Sequence, residues 1–435
     1  MSLYSWGRYP DKPQTANACS WRSEIPARVE QIITQHGSTL AYGNGRSYGD
    51  SCLAASDQVL SMRSLDRFIS IDWKQGILVA EAGVTLGEIL AITIPQGWFL
   101  PATPGTQFAT LGGAIANDVH GKNHHLRGTF GNHVRHFGLN RHGQEQVTCS
   151  PTENHELYAA TIGGLGLTGV IIWAEIQLMP IRSSQIDSTL VRFDNLGEFF
   201  TLSAELDHQH EYSVAWIDCL AKGDKTGRGV FIVGDHARYG ALDVQERRKR
   251  TIPLTPPISL INNLSLHAFN EAYWRLHPVQ RTQKRVSYEP FFYPLDGILH
   301  WNRIYGRRGF QQYQCVIPEE SAEKAIQALL TSIAASGQGS FLAVLKRCGD
   351  ISSPGLLSFP QAGTSLALDF PQTAVLLPLF KRLDAIVNEA GGRLYPAKDA
   401  HMSGNDFRKA YPDWEKLEAL RDPTLMSHFW KRVIA

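Results

Sequence analysis

Two glycine-rich runs carry the most definite chemistry in this chain. The first is Gly43-Asn44-Gly45-Arg46-Ser47-Tyr48-Gly49-Asp50. Three glycines and an asparagine after a strand let backbone N–H groups converge without Cβ clashes, and such a nest binds an anion, typically phosphate. Arg46 adds a charged fork of donors suited to a pyrophosphate. A plain turn is the competing reading, because short Gly-x-Gly runs are usually turns. The second run is Pro104-Gly105-Thr106-Gln107-Phe108-Ala109-Thr110-Leu111-Gly112-Gly113-Ala114-Ile115-Ala116-Asn117-Asp118-Val119-His120. Gly112 and Gly113 at a helix start allow a flat or phosphorylated ligand to touch the backbone. A third run, Gly163 to Gly169, precedes an apolar strand. Two commoner nucleotide motifs are excluded. A dinucleotide fingerprint requires glycine where Tyr48 stands, and a Walker loop ending at Gly121-Lys122 would have Ala116 as its first glycine and Asn123 as its last residue. Three nests in one region suit a long cofactor gripped along its length.

Near these runs, or far downstream, stand side chains able to accept a proton: His120, Lys122 and Lys398. A desolvated lysine loses proton affinity and can act as a base; it can equally clamp a phosphate as an ammonium, and a lone lysine is most often a surface charge. Gln312 and Gln314 alternate on an expected strand and so face one side, either as an exposed polar face or as amides lining a sugar site. His120, His124 and His125 have no HExxH or carboxylate pattern around them, so no metal site is expected, and His124 and His125 are read as orienting loop backbone.

The elements that must position these groups are legible from periodicity. Pro26–His36 reads as a short amphipathic helix closed by Gly37. Strands are expected at Thr39–Tyr42, Val59–Met62, Phe68–Ile71, Ile77–Ala82 and Val170–Leu178. Thr85 and Thr110 are expected to cap helices over Leu86–Ile92 and Leu111–Ala116. After Pro180 the texture changes to longer alternating strands, such as Gln312–Ile317 and Ser365–Phe370, with amphipathic helices at Glu319–Ala335 and Ala374–Glu389. The stretch 251–293 contains Pro253, Pro256, Pro257 and Pro278, with apolar residues and bases (Arg275, Arg281, Lys284, Arg285), and is read as a long loop or lid without clear structure of its own. Three parts are expected: 1–184, 185–390 and 391–435.

With 435 residues, 43% hydrophobic and 19% charged, the chain has the composition of a soluble multidomain protein. A formal net charge of +1 gives no electrostatic case for a nucleic-acid partner. The six scattered cysteines form no CxxC pair and read as buried thiols of a reducing compartment; with no basic-then-apolar leader and no membrane-length apolar run, a cytoplasmic location is expected.

In order, Gly-Arg-Ser-Tyr-Gly-Asp, Pro-Gly-Thr, Gly-Gly-Ala-Ile-Ala, Asp-Val-His-Gly-Lys-Asn-His-His and Gly-Leu-Thr-Gly resemble the FAD domain of the vanillyl-alcohol-oxidase/PCMH superfamily. With Phe310–Pro318, Leu357–Pro360 and Gly391–Asp399 they resemble, more closely, the decaprenylphosphoryl-ribose 2-oxidase family, over nearly the whole chain but weakly across 185–290. The resemblance implies an α+β fold: a two-part PCMH-type FAD-binding domain, and a substrate domain with a largely antiparallel sheet covered by helices. It implies that Ala41, Tyr42, the Gly43–Asp50 run, Ser51, Gly105, Thr110, Leu111, Gly112 and Gly113 hold the diphosphate and ribityl parts of FAD. It sets Asn117, Asp118, Val119 and His120 near the flavin ring, Ile172 near the adenine end, and Tyr395 returning to the flavin. Lys122, Phe292, Gln312, Gln314, Lys346, Ser365 and Lys398 would face substrate, with Lys398, His120 and Lys122 as catalytic candidates. Phe292 stands where relatives carry a tyrosine, and Ala367 where mycobacterial members carry a cysteine. Many superfamily members tether FAD through a histidine at the position of Arg46, so the cofactor is expected to be non-covalent. The implied reaction oxidises the 2-hydroxyl of a polyprenyl-phosphoryl pentose, a short-chain reductase partner completing epimerisation to arabinose. A soluble alditol or sugar-lactone oxidase is the alternative. The apolar-plus-basic stretch 251–293 suits a lipid phosphate and peripheral membrane contact, or is a simple mobile loop.

Overall fold

The glycine runs hang between two sheets. A computed structural model describes residues 2–244, 249–277 and 281–435, so Pro278 lies outside the described residues. The first helix, Ile25–His36, buries Ile25, Val29 and Ile32 and ends at Gly37, whose φ of 80° only glycine adopts without strain. It precedes Leu40–Tyr42, which pairs in parallel with Gln58–Ser61, and that strand pairs with Thr15–Ala18. Thr85 accepts a hydrogen bond from the Glu88 N–H and Glu88 reaches back to Thr85, a reciprocal cap that starts the helix Leu86–Thr93. Thr110 does the same single-handedly for Leu111–Ala116, accepting from the Gly113 N–H.

A five-stranded antiparallel sheet runs in the order Phe68–Asp72, Ile77–Glu81, Val170–Gln177, Val134–Asn140, Val147–Cys149. Its central strand alternates as read from the sequence: Ala174 and Ile176 are buried while Glu175 and Gln177 are half-exposed. The helix Leu111–Ala116 lies so close to this sheet that a Cβ on Gly112 would come within 2.9 Å of the Ala82 Cβ. There the glycine serves the close approach, and its N–H bonds the Ala82 carbonyl at 2.9 Å.

The second sheet has eight antiparallel strands, in the order Thr282–Ser287, Gln185–Phe193, Gly229–His236, Tyr212–Ile217, Ala343–Cys348, Gly363–Pro371, Phe310–Pro318, Arg393–Leu394. The helices Leu196–Leu206, Glu319–Ser336 and Leu376–Glu389 cover one face and share its apolar core. Mixed helices and mostly antiparallel sheets make the fold α+β.

Register decides what the other face presents. Gln312 pairs with Asp369, Gln314 with Ala367, and Lys346 with Ser365. Residues two apart share a face, so Gln312, Gln314, Ser365, Ala367, Asp369 and Lys346 look the same way.

The stretch 251–293 is not the structureless loop expected from its composition. It contains the helix Asn263–Leu276, capped by Asn262, then the edge strand Thr282–Ser287 and the short helix Tyr288–Phe292. Two features hid these elements. The long helix buries only Leu266 and Asn270, so no apolar stripe repeats along it. The strand lies at a sheet edge and exposes Gln283, Lys284 and Arg285, so its alternation is weak.

Candidate active site

Between the glycine runs and the open face of the large sheet lies a cavity of about 390 Å³. One wall is the first run, lined by Gly43, Asn44, Gly45, Arg46, Ser47 and Tyr48, with Ala41 and Ser51 at its ends. Gly105, Thr110, Gly112, Gly113, Asn117, Val119 and His120 of the second run line it too, with Tyr395 from the C-terminal segment. The opposite wall is the sheet face: Gln312, Gln314, Ser365 and Lys346, joined by Lys122, Phe292 and Lys398.

Six expected cofactor residues do not line this cavity. Tyr42 is buried and donates its hydroxyl to the Tyr4 carbonyl at 2.6 Å. Gly49 is held against Asp399, where an added Cβ would overlap the Asp399 carbonyl. Asp50 pairs with Arg432 at 2.8 Å. Leu111 is core. Asp118, at φ 40°, turns its carboxylate to the Gly131 N–H and to the Ser353 and Ser358 hydroxyls. Ile172 is buried on the far side of its strand; its neighbour Ile171 lines the cavity. These six shape the loops from behind.

The cavity fits an anionic cofactor on its own terms. The Nε of Arg46 and the Oγ of Ser51 are buried without a hydrogen-bond partner, yet both residues line the cavity. Unpaired buried donors cost about 1–3 kcal/mol each, and a diphosphate would satisfy such donors. The Arg46 guanidinium lies 4.1 Å from the Trp6 ring centre and 5.0 Å from that of Phe108, two cation–π contacts that favour this position at the cavity wall. At Gly105 a Cβ would meet nothing within 4 Å, leaving backbone open to a ligand.

On the opposite wall, burial controls protonation. Desolvation lowers Lys398 to about 8, with Asp369 pulling the other way. Its ammonium lies 3.8 Å from the Tyr48 ring centre. Asp369 is itself pushed up to about 7 by burial; it accepts from the Gln312 amide at 2.6 Å, and its other oxygen is without a hydrogen-bond partner. Lys122 falls to about 8 by desolvation, with repulsion from Lys346 adding to it. Lys346 is lowered by burial and donates to Nδ1 of His120 and, at 2.7 Å, to the Gly121 carbonyl. Burial and the nearby cation hold His120 neutral, well below its usual range. The ring lies 3.3 Å from the Gln314 amide and against Phe359 and Tyr395. Tyr395 is fixed by its bond to the Asn117 carbonyl at 2.8 Å. His124 and His125 bind backbone as expected: Nδ1 of His124 accepts from the Gly349 N–H, and Nε2 of His125 meets the His210 carbonyl.

These features compose a cradle with unpaired donors suited to a diphosphate, facing a wall of amides and of lysines whose proton affinity is lowered by burial. A family model described as an FAD binding domain matches residues 22–150. The decaprenylphosphoryl-β-D-ribose oxidase of Mycolicibacterium smegmatis is 34% identical over 438 residues, covering 97% of this chain and 94% of that protein. The chain belongs to this oxidase family. It is an FAD-dependent oxidoreductase acting on CH–OH groups, and FAD is its cofactor. A Streptomyces coelicolor protein described as uncharacterized, in the mprA 5′ region, is 32% identical over 363 residues, 78% of this chain and 96% of its own. The L-gulono-1,4-lactone dehydrogenase of Mycobacterium tuberculosis is 21% identical over 441 residues, 96% of this chain and 95% of its own.

Sequence reasoning missed Asp369 and Asp296. Asp369 follows Ser365 and Ala367 at same-face spacing, a usable signal once the strand is recognised. Asp296 lines the cavity, accepts from Thr106 and from the Gln107 N–H, and is pushed up to about 6 by burial. No pattern marked it, because it lies between short elements.

Proposed function

We propose that this family member oxidises the 2-hydroxyl of a polyprenyl-phosphoryl pentose, of the decaprenylphosphoryl-ribose type, to the 2-keto sugar. A short-chain reductase partner then completes epimerisation to arabinose. The observation that carries the reading is the convergence of Lys122, Lys346 and Lys398 on one cavity that also presents Gln312 and Gln314. Among the described residues, Lys122 and Lys346 are desolvated cations with no carboxylate beside them, which calls for an anionic substrate, and amides suit sugar hydroxyls. The name of the Mycolicibacterium relative supports the sugar and lipid. In domain terms, residues 1–184 form the PCMH-type FAD-binding part, 185–390 the substrate part, and 391–435 a segment that rejoins the first.

FAD, when bound, supplies the acceptor for the hydride of the oxidised carbon. Lys398 in its neutral form takes the hydroxyl proton, and its value of about 8 keeps part of it ready near neutral pH. Asp369 steadies Lys398 through its charge, and Gln312 steadies Asp369. Lys346 holds His120 neutral, with Nδ1 accepting, and the ring turns towards Gln314. Lys122 neutralises the substrate phosphate, and Phe292 and Ser365 shape the sugar pocket. Arg46, Ser51, Gly105, Gly112 and Gly113 hold the cofactor.

Two measurements check this reading. Anaerobic flavin bleaching should be fast with prenyl-phosphoryl ribose and at least about tenfold slower, at equal concentration, with free alditols and sugar lactones. Preference for the free sugars would replace the lipid-linked substrate with the soluble one. Because Arg46 offers no nucleophile where the tethering histidine would stand, acid precipitation should release the yellow chromophore into the supernatant; colour retained in the pellet contradicts non-covalent FAD. Among the described residues no helix is long and apolar enough to cross a membrane, and the proposed location is the cytoplasmic side, peripheral to the inner membrane.

A further inference from the structure

The cavity's mouth is bordered by an unusual surface. Leu254, Ile258 and Leu264 are 77%, 74% and 81% exposed, far more than isolated surface leucines need be, and they fall within one short run. That run is laid directly on the segment that walls the cavity. Arg250 and Thr251 pair in parallel with Ile298 and Leu299. Arg303 donates to the Ile252 and Pro253 carbonyls at 2.7 and 2.9 Å, and the Leu260 N–H bonds the Ile304 carbonyl at 2.9 Å. Ile298, Leu299, His300 and Trp301 line the cavity itself. The apolar run is therefore the outer layer of the cavity wall.

The charge around it is one-sided. Residues 249–270 and 297–309 contain Lys249, Arg250, Arg303, Arg307 and Arg308 and no aspartate or glutamate, in a chain whose net charge is only +1. Arg307 and Arg308 are exposed in a turn flanked by Gly306, which packs against the Ile258 backbone, so cation and apolar side chain stand side by side. Lys249 reaches the cavity rim, 4.9 Å from the Phe108 ring centre. Beyond the run, Glu271 is already neutralised by Arg228 and Arg275.

We propose that this rim docks on an anionic lipid bilayer, with Leu254, Ile258 and Leu264 entering the headgroup–acyl boundary and the flanking cations meeting acidic headgroups. Exposed aliphatic side chains flanked by bases, with the one neighbouring acid of the wall, Asp296, buried against Thr106 and Gln107, have the chemistry of an interfacial anchor. A neutral or basic protein partner would leave these charges unmatched. The proposal deepens the lipid-linked substrate reading, because the cavity would then open where the lipid chain lies, but its own evidence is the surface.

The test uses the FAD-loaded full chain and vesicles without substrate. It should co-sediment with phosphatidylcholine vesicles containing about a third phosphatidylglycerol, much less with pure phosphatidylcholine, and less as salt rises. The variant L254D/I258D/L264D should lower vesicle partitioning at least about a hundredfold, and R307E/R308E about tenfold or more. Both should keep bound FAD and unchanged flavin reduction by a detergent-dispersed substrate. A chain that stays in the supernatant with anionic vesicles at low salt, or variants that bind as well as the parent, would overturn the docking surface. Because substrate is absent from the vesicle arm, vesicle binding with no bleaching by prenyl-phosphoryl sugars sinks only the substrate reading. Bleaching without vesicle binding sinks only the docking surface.

Discussion

Replacing Lys398 with alanine should slow substrate-driven flavin reduction by about 10²–10⁴-fold while FAD stays bound. The size follows from the position of this side chain. Its ammonium is desolvated inside the cavity, lies over the Tyr48 ring and interacts with Asp369, which holds it in one place for a proton transfer. The cofactor loops are held by contacts that do not involve Lys398, such as the bond from the Asn44 amide to the Phe108 carbonyl, so the flavin should remain. The pH dependence has a definite sign. The active form is the neutral amine, so the limiting rate of bleaching should rise as pH increases through about 8 and then level off. Asp369 favours the charged form of Lys398; Asp369→Asn should therefore move this rise to lower pH, and Lys398→Ala should abolish it. If Lys398 only clamped the phosphate, alanine would weaken apparent substrate affinity and leave the limiting rate and its pH profile intact. Stopped-flow bleaching at saturating substrate separates the two outcomes.

How far such a site can be read in advance depends on the range of the interactions that build it. Thr110 and its helix were legible because a cap is satisfied within three residues, by the Gly113 N–H. The helix Glu319–Ser336 was legible because Ala322, Ile326, Leu329 and Ile333 repeat on one face. The glycine loops could be read as anion nests, since that property is local to the backbone. What was not legible depends on distant partners. The alternation of Val170–Gln177 was clear, but only the packed sheet determines that Ile171, and not Ile172, meets the cavity. Asp118 sits inside the second run, yet its carboxylate belongs to Ser353 and Ser358, more than two hundred positions away. Asp369 becomes part of the site only through its register with Gln312. The helix at Asn263–Leu276 escaped because its outer face carries apolar residues that no core explains.

Asp50 is the sharpest case of a distant partner, and it supports a second large effect. It stands in the first glycine run, but its oxygens accept from Arg432 at 2.8 and 3.1 Å across 382 positions. The same guanidinium binds Asp399 at 2.9 Å. Both carboxylates are nearly inaccessible, at 5% and 2% of side-chain surface, so Arg432 offsets two buried charges at once. Arg432→Met should cost about 3–5 kcal/mol, the penalty for leaving a buried ion without its partner, and lower the apparent Tm by about 3–6 °C. The effect should reach the cofactor, because this pairing presses Gly49 against Asp399 and so supports the loop that carries Arg46 and Ser51. FAD should dissociate more readily on dilution. The sign with pH follows from the folded-state shifts. In the parent, Asp399 lies below its ordinary value, held there by His401 and Arg432 against burial, so its stabilisation is present above the normal carboxylate range and lost as pH falls through its folded value. Burial already outweighs Arg432 at Asp50, which lies above its ordinary value and opposes stability as it ionises. Without Arg432 both values rise, so the variant's deficit should be greatest at neutral pH and shrink as acid protonates the two groups below about pH 5. Thermal unfolding of parent and variant at pH 4.5 and 7.5 reads this directly, and an equal gap at both would exclude the charge argument. Adding Asp50→Asn and Asp399→Asn to Arg432→Met should recover part of the lost stability, whereas a purely steric role for the arginine would give no recovery.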